Sequence, residues 1–230
     1  MKINLITVCT DAYPMEYARK TITRFGQLTE LDYTAYCITD RPKEISDIAV
    51  PLTPQIKTVG WWNKMLAYSP DMPKGFNVYL DIDIVLVKNF DEEIRYAHDQ
   101  GKKISCVSDA IMWKNNKFSS SMMMFETGAM KDIYDYFKPV HKMLEHDYDG
   151  GDQVWTGHLL DPTNILYLDE RFPNLKKNLK FHLGQKVFGE WKFPVRIPSD
   201  IKTVDCGGRP KPDKLAGLSY INRNWHEIKT

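Results

Sequence analysis

Asp81 and Asp83 are the residues whose type and spacing most directly suggest chemistry. One residue separates them, and apolar runs rich in β-branched side chains flank them at 78–80 and 84–87. Such runs predict a strand buried on both faces, and in an extended backbone residues two apart point the same way. Converging carboxylates repel each other, and their hard oxygen atoms suit Mg²⁺ or Mn²⁺ that also binds phosphate oxygens. The alternative, an aspartate pair that only caps a strand and turns the chain, stays open here.

Polar residues also follow the predicted first strand, at residues 3–8. Thr10 and Asp11 come shortly after this strand, and Tyr13 follows just before a predicted helix. In α/β proteins ligands bind at such strand ends, and a tyrosine ring offers a flat surface for stacking. The competing interpretation is that Asp11 caps the helix and Tyr13 packs on it.

The elements that must position these residues alternate along the chain. Further strands are predicted at 32–39, 50–53, 103–107, 118–125 and 165–168, and helices at 15–25, 90–96 and 130–137. This alternation predicts an α/β fold with a mostly parallel central sheet flanked by helices. The first helix is expected to end near Gly26, and residues 146–153 are expected to form a polar loop. The segment after Glu170 is predicted to be an irregular tail that ends in a short helix near Trp225.

Composition limits the classes of partner. The chain has 230 residues, 43% hydrophobic and 27% charged, with a net charge of +1. This charge gives no broad electrostatic reason to expect nucleic acid or an acidic membrane as a partner. No run reaches the roughly 20 apolar residues of a transmembrane helix. The four cysteines show no paired spacing, so we expect reduced thiols in a cytoplasmic protein.

Several short motifs occur in an order that resembles a known group of enzymes. The sequence is similar to the GT-A-fold glycosyltransferases with an Asp-x-Asp motif, especially the small retaining hexosyltransferases that use nucleotide sugars. The resemblance covers roughly residues 3–226 and depends on Thr10–Tyr13, Trp62–Lys64, Tyr79–Asp83, Ser119–Met123, Gly151–Gln153 and Gly208–Pro212. It implies a Rossmann-like single domain over 1–230, with a nucleotide-binding half at 1–100 and a sugar and acceptor half at 101–230.

The resemblance also implies a ligand and a set of binding residues. The donor would be a nucleotide-diphosphate sugar, with a UDP-sugar favoured, and the acceptor a glycan or another hydroxyl compound. Asp81 and Asp83 would hold Mn²⁺ or Mg²⁺, which acts as a Lewis acid on the leaving diphosphate. The remaining donor-binding residues would be Thr10, Asp11, Tyr13, Lys64, Asp109, Ser120, Gly208 and Lys211, with Asp81 also touching the ribose.

Asp152 and Gln153 are the catalytic residues that the resemblance implies. Asp152 would bind sugar hydroxyls, and Gln153 would stabilise an oxocarbenium-like state. Simpler roles compete with these: Asp152 caps a helix that starts near Val154, Lys64 is a solvated lysine, and the serines at 119–121 serve packing.

One motif departs from the family pattern. Relatives carry a histidine that completes the metal site, whereas this sequence has Gly207 at the expected place, and Asp205, Cys206 or water would have to substitute. A non-catalytic relative that binds nucleotide or carbohydrate is therefore one alternative function. A nucleotidyltransferase is another, although the absence of glycine from residues 9–14 counts against its phosphate loop.

Overall fold

A computed structural model describes residues 1–10 and 13–230, without the side chain of Trp113. The helices are α1 (Met15–Leu28), α2 (Asp91–Gln100), α3 (Lys131–Asp147), α4 (Gly151–Leu159) and α5 (Ser219–Ile221), and Gly60–Tyr68 is a 3₁₀ helix. The strands are β1 (Lys2–Val8), β2 (Asp32–Ile38), β3 (Val50–Leu52), β4 (Phe76–Leu80), β5 (Ile84–Leu86), β6 (Ile104–Ser108), β7 (Phe118–Glu126), β8 (Ile165–Tyr167), β9 (Lys176–Asn178), β10 (Gln185–Val187), β11 (Glu190–Lys192) and β12 (Thr203–Asp205).

Seven strands form the central sheet, in the order β3-β2-β1-β4-β7-β6-β8. Strand β7 is antiparallel to both of its neighbours, and every other adjacent pair is parallel. The predicted mostly parallel α/β sheet is therefore confirmed. This topology brings the carboxyl ends of β1, β4 and β6 to the same edge as the amino end of β7. Ligands bind at this edge in open α/β sheets.

Both faces of the sheet are buried, because successive residues of the inner strands point to opposite sides. Leu5 and Val78 pack with Phe25 of α1, whereas Tyr79 packs on the opposite side with Phe137 of α3 and Trp155 of α4. Apolar runs without polar alternation are expected from strands covered on two sides.

Helix α1 ends two residues past Gly26, close to the predicted end, and Gly26 lies inside the helix. A Cβ atom at position 26 would lie 2.2 Å from the hydroxyl oxygen of Tyr33. The glycine therefore permits the close approach of α1 and β2 and does not act as a C-cap. The sequence alone does not distinguish a glycine that permits close packing from a glycine that ends a helix.

The chain turns between Asp81 and Asp83, so the prediction of one extended strand is wrong. The N–H of Ile84 bonds to the carbonyl of Asp81 at 3.2 Å, which closes a turn. Strand β4 belongs to the central sheet, and β5 pairs with β12 in a three-stranded sheet with β9. A turn between two buried strands has the same apolar flanks as one long strand, which explains the error.

The predicted polar loop at 146–153 is also replaced by helix at both ends. Helix α3 continues to Asp147 and α4 begins at Gly151, so Asp152 and Gln153 occupy the first turn of α4. Gly150, with φ 130°, is the N-cap residue. Asp152 therefore does not take the capping role.

The tail after Glu170 contains the hairpin β10–β11, strand β12, α5 and a π-helical turn at Asn222–His226. Trp225 in this turn is buried against the α1 side of the sheet, as a wrapping tail predicts. Within the described residues, every helix is too short or too polar to cross a lipid bilayer.

Candidate active site

The candidate site lies at the sheet edge where β1, β4 and β6 end. Asn63 of the 3₁₀ helix donates to the hydroxyl of Thr10 at 3.1 Å, which joins that helix to the end of β1. The N–H of Asp81 bonds to the carbonyl of Ser121 at 2.8 Å, so Asp81 is fixed at the boundary between β4 and β7. The predicted residues Thr10 and Asp81 are therefore at one edge.

Lys64 and Asp81 form an ion pair at the centre of this edge. The ammonium donates to Asp81 Oδ2 at 2.7 Å and to the hydroxyl of Ser120 at 3.3 Å, while the Tyr79 hydroxyl donates to Asp81 Oδ1 at 2.8 Å. Burial raises the pKa of the Asp81 carboxyl to about 6, and Lys64 offsets this rise only in part. Burial lowers the pKa of Lys64, but Asp152 and Asp81 outweigh that effect and raise it above its usual range. Lys64 is therefore not a solvated lysine.

Asp83 forms a second ion pair, with Lys211. The Lys211 ammonium donates to Asp83 Oδ2 and also lies 5.1 Å from the ring centroid of Tyr13. Burial opposes the charge of Lys211, yet Asp83 raises its pKa above the ordinary value. Three predicted residues from distant parts of the chain, Tyr13, Asp83 and Lys211, thus meet at one place.

A third pair, between Lys176 and Asp205, was not predicted. Lys176 donates to Asp205 at 3.1 Å and to the hydroxyls of Ser119 and Ser121 at 3.0 and 2.6 Å. Burial raises the pKa of Asp205, but Lys176 and the N–H of Gly207 lower it by a larger amount, so the pKa lies below its ordinary value. In the sequence, Lys176 stands beside another lysine and looks like a surface residue, so no local signal distinguishes it.

Helix α4 brings Asp152 and Gln153 to the same edge. Ser120 N–H donates to Gln153 Oε1 at 3.3 Å, and Asn116 donates to the Gln153 carbonyl at 2.9 Å. Asp152 is 4% exposed, and its charge acts on Lys64. Trp61 lies against Gly151 in the first turn of α4: its Nε1 atom would be 2.6 Å from a Cβ at that position.

Three further predicted site residues are Asp11, Asp109 and Gly208. Asp11 lies outside the described residues. Asp109 follows β6, where its N–H bonds to the carbonyl of Lys117 at 2.7 Å. Gly208 has φ 79° and lies in the loop that carries Lys211. A Cβ at Gly208 would be 3.5 Å from the Lys180 ammonium.

The fit of a divalent cation can be judged from the oxygen atoms at this edge. Two carboxylates plus phosphate oxygens from a ligand are a common set for Mg²⁺. Asp81 and Asp83 supply the two carboxylates of that set, but each carboxylate is paired with a lysine. No cluster of three or more His, Cys, Asp or Glu side chains suited to a metal occurs in the described part of the chain. The site therefore fits an ion that is also held by ligand phosphates, on condition that Lys64 and Lys211 leave the carboxylates.

Solved structures with the same fold were found by comparison of the whole chain. The glycosyltransferase GlyE of Streptococcus pneumoniae TIGR4 superposes with a TM-score of 0.66 and 12% identity over 97% of this chain and 62% of GlyE. The galactosyltransferase LgtC, solved with donor and acceptor sugar analogues, gives 0.65 and 8% identity over 99% and 96%. Mouse xyloside xylosyltransferase 1 gives 0.57 and 12% identity over 91% and 98%.

These similarities establish the fold. The chain has the GT-A-like fold of these glycosyltransferases, and it spans about three fifths of the length of GlyE. No protein-family model and no curated protein sequence matches it.

Proposed function

We propose that the protein transfers a hexose from a nucleotide-diphosphate sugar, with UDP as the favoured nucleotide, to a hydroxyl of a glycan or similar acceptor. The observation that carries this proposal is the hydrogen-bonded group of Lys64, Asp81, Ser120 and Gln153 at the ligand-binding edge of the sheet. Fold similarity to glycosyltransferases supports it.

Lys64 and Lys211 are the proposed ligands of the donor diphosphate. Both ammonium groups are held charged by neighbouring carboxylates, and both lie at the sheet edge. When the diphosphate leaves, its negative charge increases, and fixed cations stabilise that charge more strongly than mobile water does. Thr10, Asp11 and Tyr13 are proposed to bind the base and ribose beside them.

Asp152, Gln153 and Ser120 are the proposed contacts of the transferred sugar. The side-chain amide of Gln153 accepts from the N–H of Ser120, and its backbone carbonyl accepts from Asn116, so both bonds hold this residue at the edge. Asp152 supplies a buried carboxylate that can accept from sugar hydroxyls, and Asp109 is proposed to do the same from the end of β6. We propose that Gln153 stabilises an oxocarbenium-like state in a retaining reaction.

Asp81 and Asp83 are the proposed holders of Mn²⁺ or Mg²⁺, which when bound supplies Lewis-acid activation of the diphosphate. Asp205 lies next to Gly207, the position where a histidine was expected, but its carboxylate is engaged by Lys176 and by the Gly207 N–H. We propose a cytoplasmic location, which agrees with four buried free cysteines at positions 9, 37, 106 and 206.

The test is calorimetric titration of UDP with Mn²⁺ and with EDTA. Asp83→Ala is expected to abolish the metal-dependent part of nucleotide binding with the fold intact. Asp99→Ala is the matched control, because that side chain is 72% exposed on α2. Unchanged UDP affinity in Asp83→Ala would remove Asp83 from the site.

A turnover assay separates the proposed enzyme from a non-catalytic relative. Release of UDP from a UDP-hexose in the presence of Mn²⁺ is expected, and it should fall strongly in Gln153→Ala. Binding of UDP without turnover of any nucleotide sugar would favour a nucleotide- or carbohydrate-binding protein instead.

A further inference from the structure

The tip of the hairpin β10–β11 carries an aromatic residue in an unfavourable position. Phe188 and Gly189 form its two-residue loop, with φ values of 50° and 85°. Loops with two positive φ values favour Asn-Gly, and a bulky residue is strained there. The Phe188 side chain is 103% exposed. Phe188 therefore contributes neither a favourable turn nor a buried ring to the folded chain. This combination points to a role in binding a partner rather than in folding.

Other apolar side chains are exposed around this tip. Val187 precedes Phe188 in the hairpin and is 39% exposed. Phe181, 50% exposed, packs edge-on against Trp191 of β11 with 5.7 Å between ring centroids. Val195, just beyond the hairpin, is 61% exposed. The hairpin and its base thus present several apolar side chains to solvent at once.

The same segment concentrates positive charge. Residues 177–196 contain five basic residues and one acidic residue, Glu190, whereas the whole chain has a net charge of +1. Lys186 and Lys192 project from the two strands of the hairpin, and Glu190 pairs with Lys192 at 3.1 Å. Exposed aromatic and aliphatic residues among lysines are typical of surfaces that bind membrane interfaces.

A basic cavity adjoins this segment. Arg196, four residues after the hairpin, lines a cavity of about 500 Å³ together with Lys88 and Arg223. Ser199 and Ser219 also line it, and none of the described residues that line it is acidic. Three cations and two hydroxyls facing one open space match the phosphate of a lipid headgroup in charge and in hydrogen-bonding capacity.

We propose that the hairpin Gln185–Lys192 and the cavity of Lys88, Arg196 and Arg223 together form a docking surface for an anionic lipid bilayer. Phe188 enters the boundary between headgroups and acyl chains, and the basic side chains bind lipid phosphates. The sequence-based expectation that an acidic membrane is not a partner was drawn from net charge, which does not report this local excess.

Docking would place the candidate active site close to the membrane. Phe181 and Lys180 belong to the π-helical turn Leu179–Leu183 at the base of the hairpin. The Lys180 ammonium lies 3.5 Å from the place of a Cβ on Gly208, in the loop that carries Lys211.

The test is co-sedimentation of the full chain with vesicles at low salt. One set contains phosphatidylcholine alone, and the other contains phosphatidylcholine with phosphatidylglycerol. We expect binding to the anionic vesicles only, with weakening as salt is added. Free inorganic phosphate at millimolar concentration should not displace the protein from the vesicles. Phosphate competes only for the basic side chains, whereas the bilayer also binds the apolar tip of the hairpin.

Two kinds of variant examine the two halves of the surface. Phe188→Asn should weaken binding by about tenfold, since the burial of one aromatic ring is lost. Its melting temperature should stay level or rise, because asparagine tolerates a positive φ. Arg196→Gln should weaken binding by about fivefold. Met143→Asn is the matched control: Met143 is 55% exposed but lies on α3 among both acidic and basic residues.

Three results would overturn the proposal. One is absence of sedimentation with anionic vesicles, and another is equal binding of neutral and anionic vesicles. The third is a vesicle affinity for Phe188→Asn and Arg196→Gln that matches the wild type. If the first result were accompanied by a self-association that Phe188→Asn abolishes, the hairpin would be a contact between copies of the chain. UDP binding should be the same in Phe188→Asn and the wild type, so failure here leaves the proposed transferase activity standing.

Discussion

The charge on Asp81 is expected to reduce the stability of the folded protein at neutral pH. Its pKa is about 6 in the folded chain because of burial, against about 3.9 in an unfolded chain. A group whose folded pKa is raised contributes stability below its unfolded pKa, and that contribution is lost as pH rises through the folded pKa. The difference of about 2 pKa units corresponds to roughly 3 kcal/mol. Wild-type protein should lose most of this amount, relative to Asp81→Asn, between pH 4 and pH 7.

Urea denaturation at pH 4, 5, 6 and 7 measures this difference. The wild-type protein keeps the charge of Lys64 over that range because the pKa of Lys64 is raised, and in the variant Asp152 still favours that charge. Asp149→Asn provides a control, since that carboxylate is 85% exposed and should give a nearly constant difference from wild type.

Two outcomes would refute this reasoning. A difference between wild type and Asp81→Asn that stays within about 0.5 kcal/mol over the pH range would show that Asp81 has an ordinary pKa. A difference of opposite sign would show that the attraction of Lys64 exceeds the effect of burial. Asp81→Asn should also lose affinity for UDP with Mn²⁺, because the proposed metal site loses one of its two carboxylates.

The remaining predictions concern packing and pairing. Lys176→Met should destabilise the fold by about 3–5 kcal/mol, because it leaves the buried Asp205 carboxylate unpaired, and adding Asp205→Asn should recover much of the loss in urea denaturation. Gly26→Ala should lower the melting temperature despite the higher helix propensity of alanine, since its Cβ meets the Tyr33 hydroxyl at 2.2 Å. Adding Tyr33→Phe should restore stability, because the nearest remaining ring atom is 3.4 Å away; no recovery would show that another contact limits position 26.

The sheet could be predicted from the sequence because its strands are local patterns. Runs such as those around Leu5 and Val78 are mostly apolar, and that pattern indicates burial on two faces. Turns between buried elements could not be predicted in the same way. The turn at Ile82 has buried apolar flanks, and the loop before Gly151 is shorter than its polar composition suggests, because Asp152 is buried inside a helix.

The ion-pair partners of the site residues could not be predicted from the sequence for a different reason. Lys64 and Asp81 are 17 residues apart, Lys176 and Asp205 are 29 apart, and Asp83 and Lys211 are 128 apart. No periodicity links residues at such separations. Single motifs indicated that Asp83 and Lys211 belong near a ligand, but not that each neutralises the other.

These pairs explain how a buried acidic edge can exist in the free protein. Carboxylates that are removed from water must be paired or protonated, and each of three aspartates here has its own lysine. Under the proposed function, a donor diphosphate would compete with Asp81 and Asp83 for Lys64 and Lys211, and each lysine that moved to phosphate would leave one aspartate free to bind a cation. Under the proposed function, donor and divalent ion should therefore bind cooperatively, and either alone should bind weakly, because it would leave a buried charge without a partner.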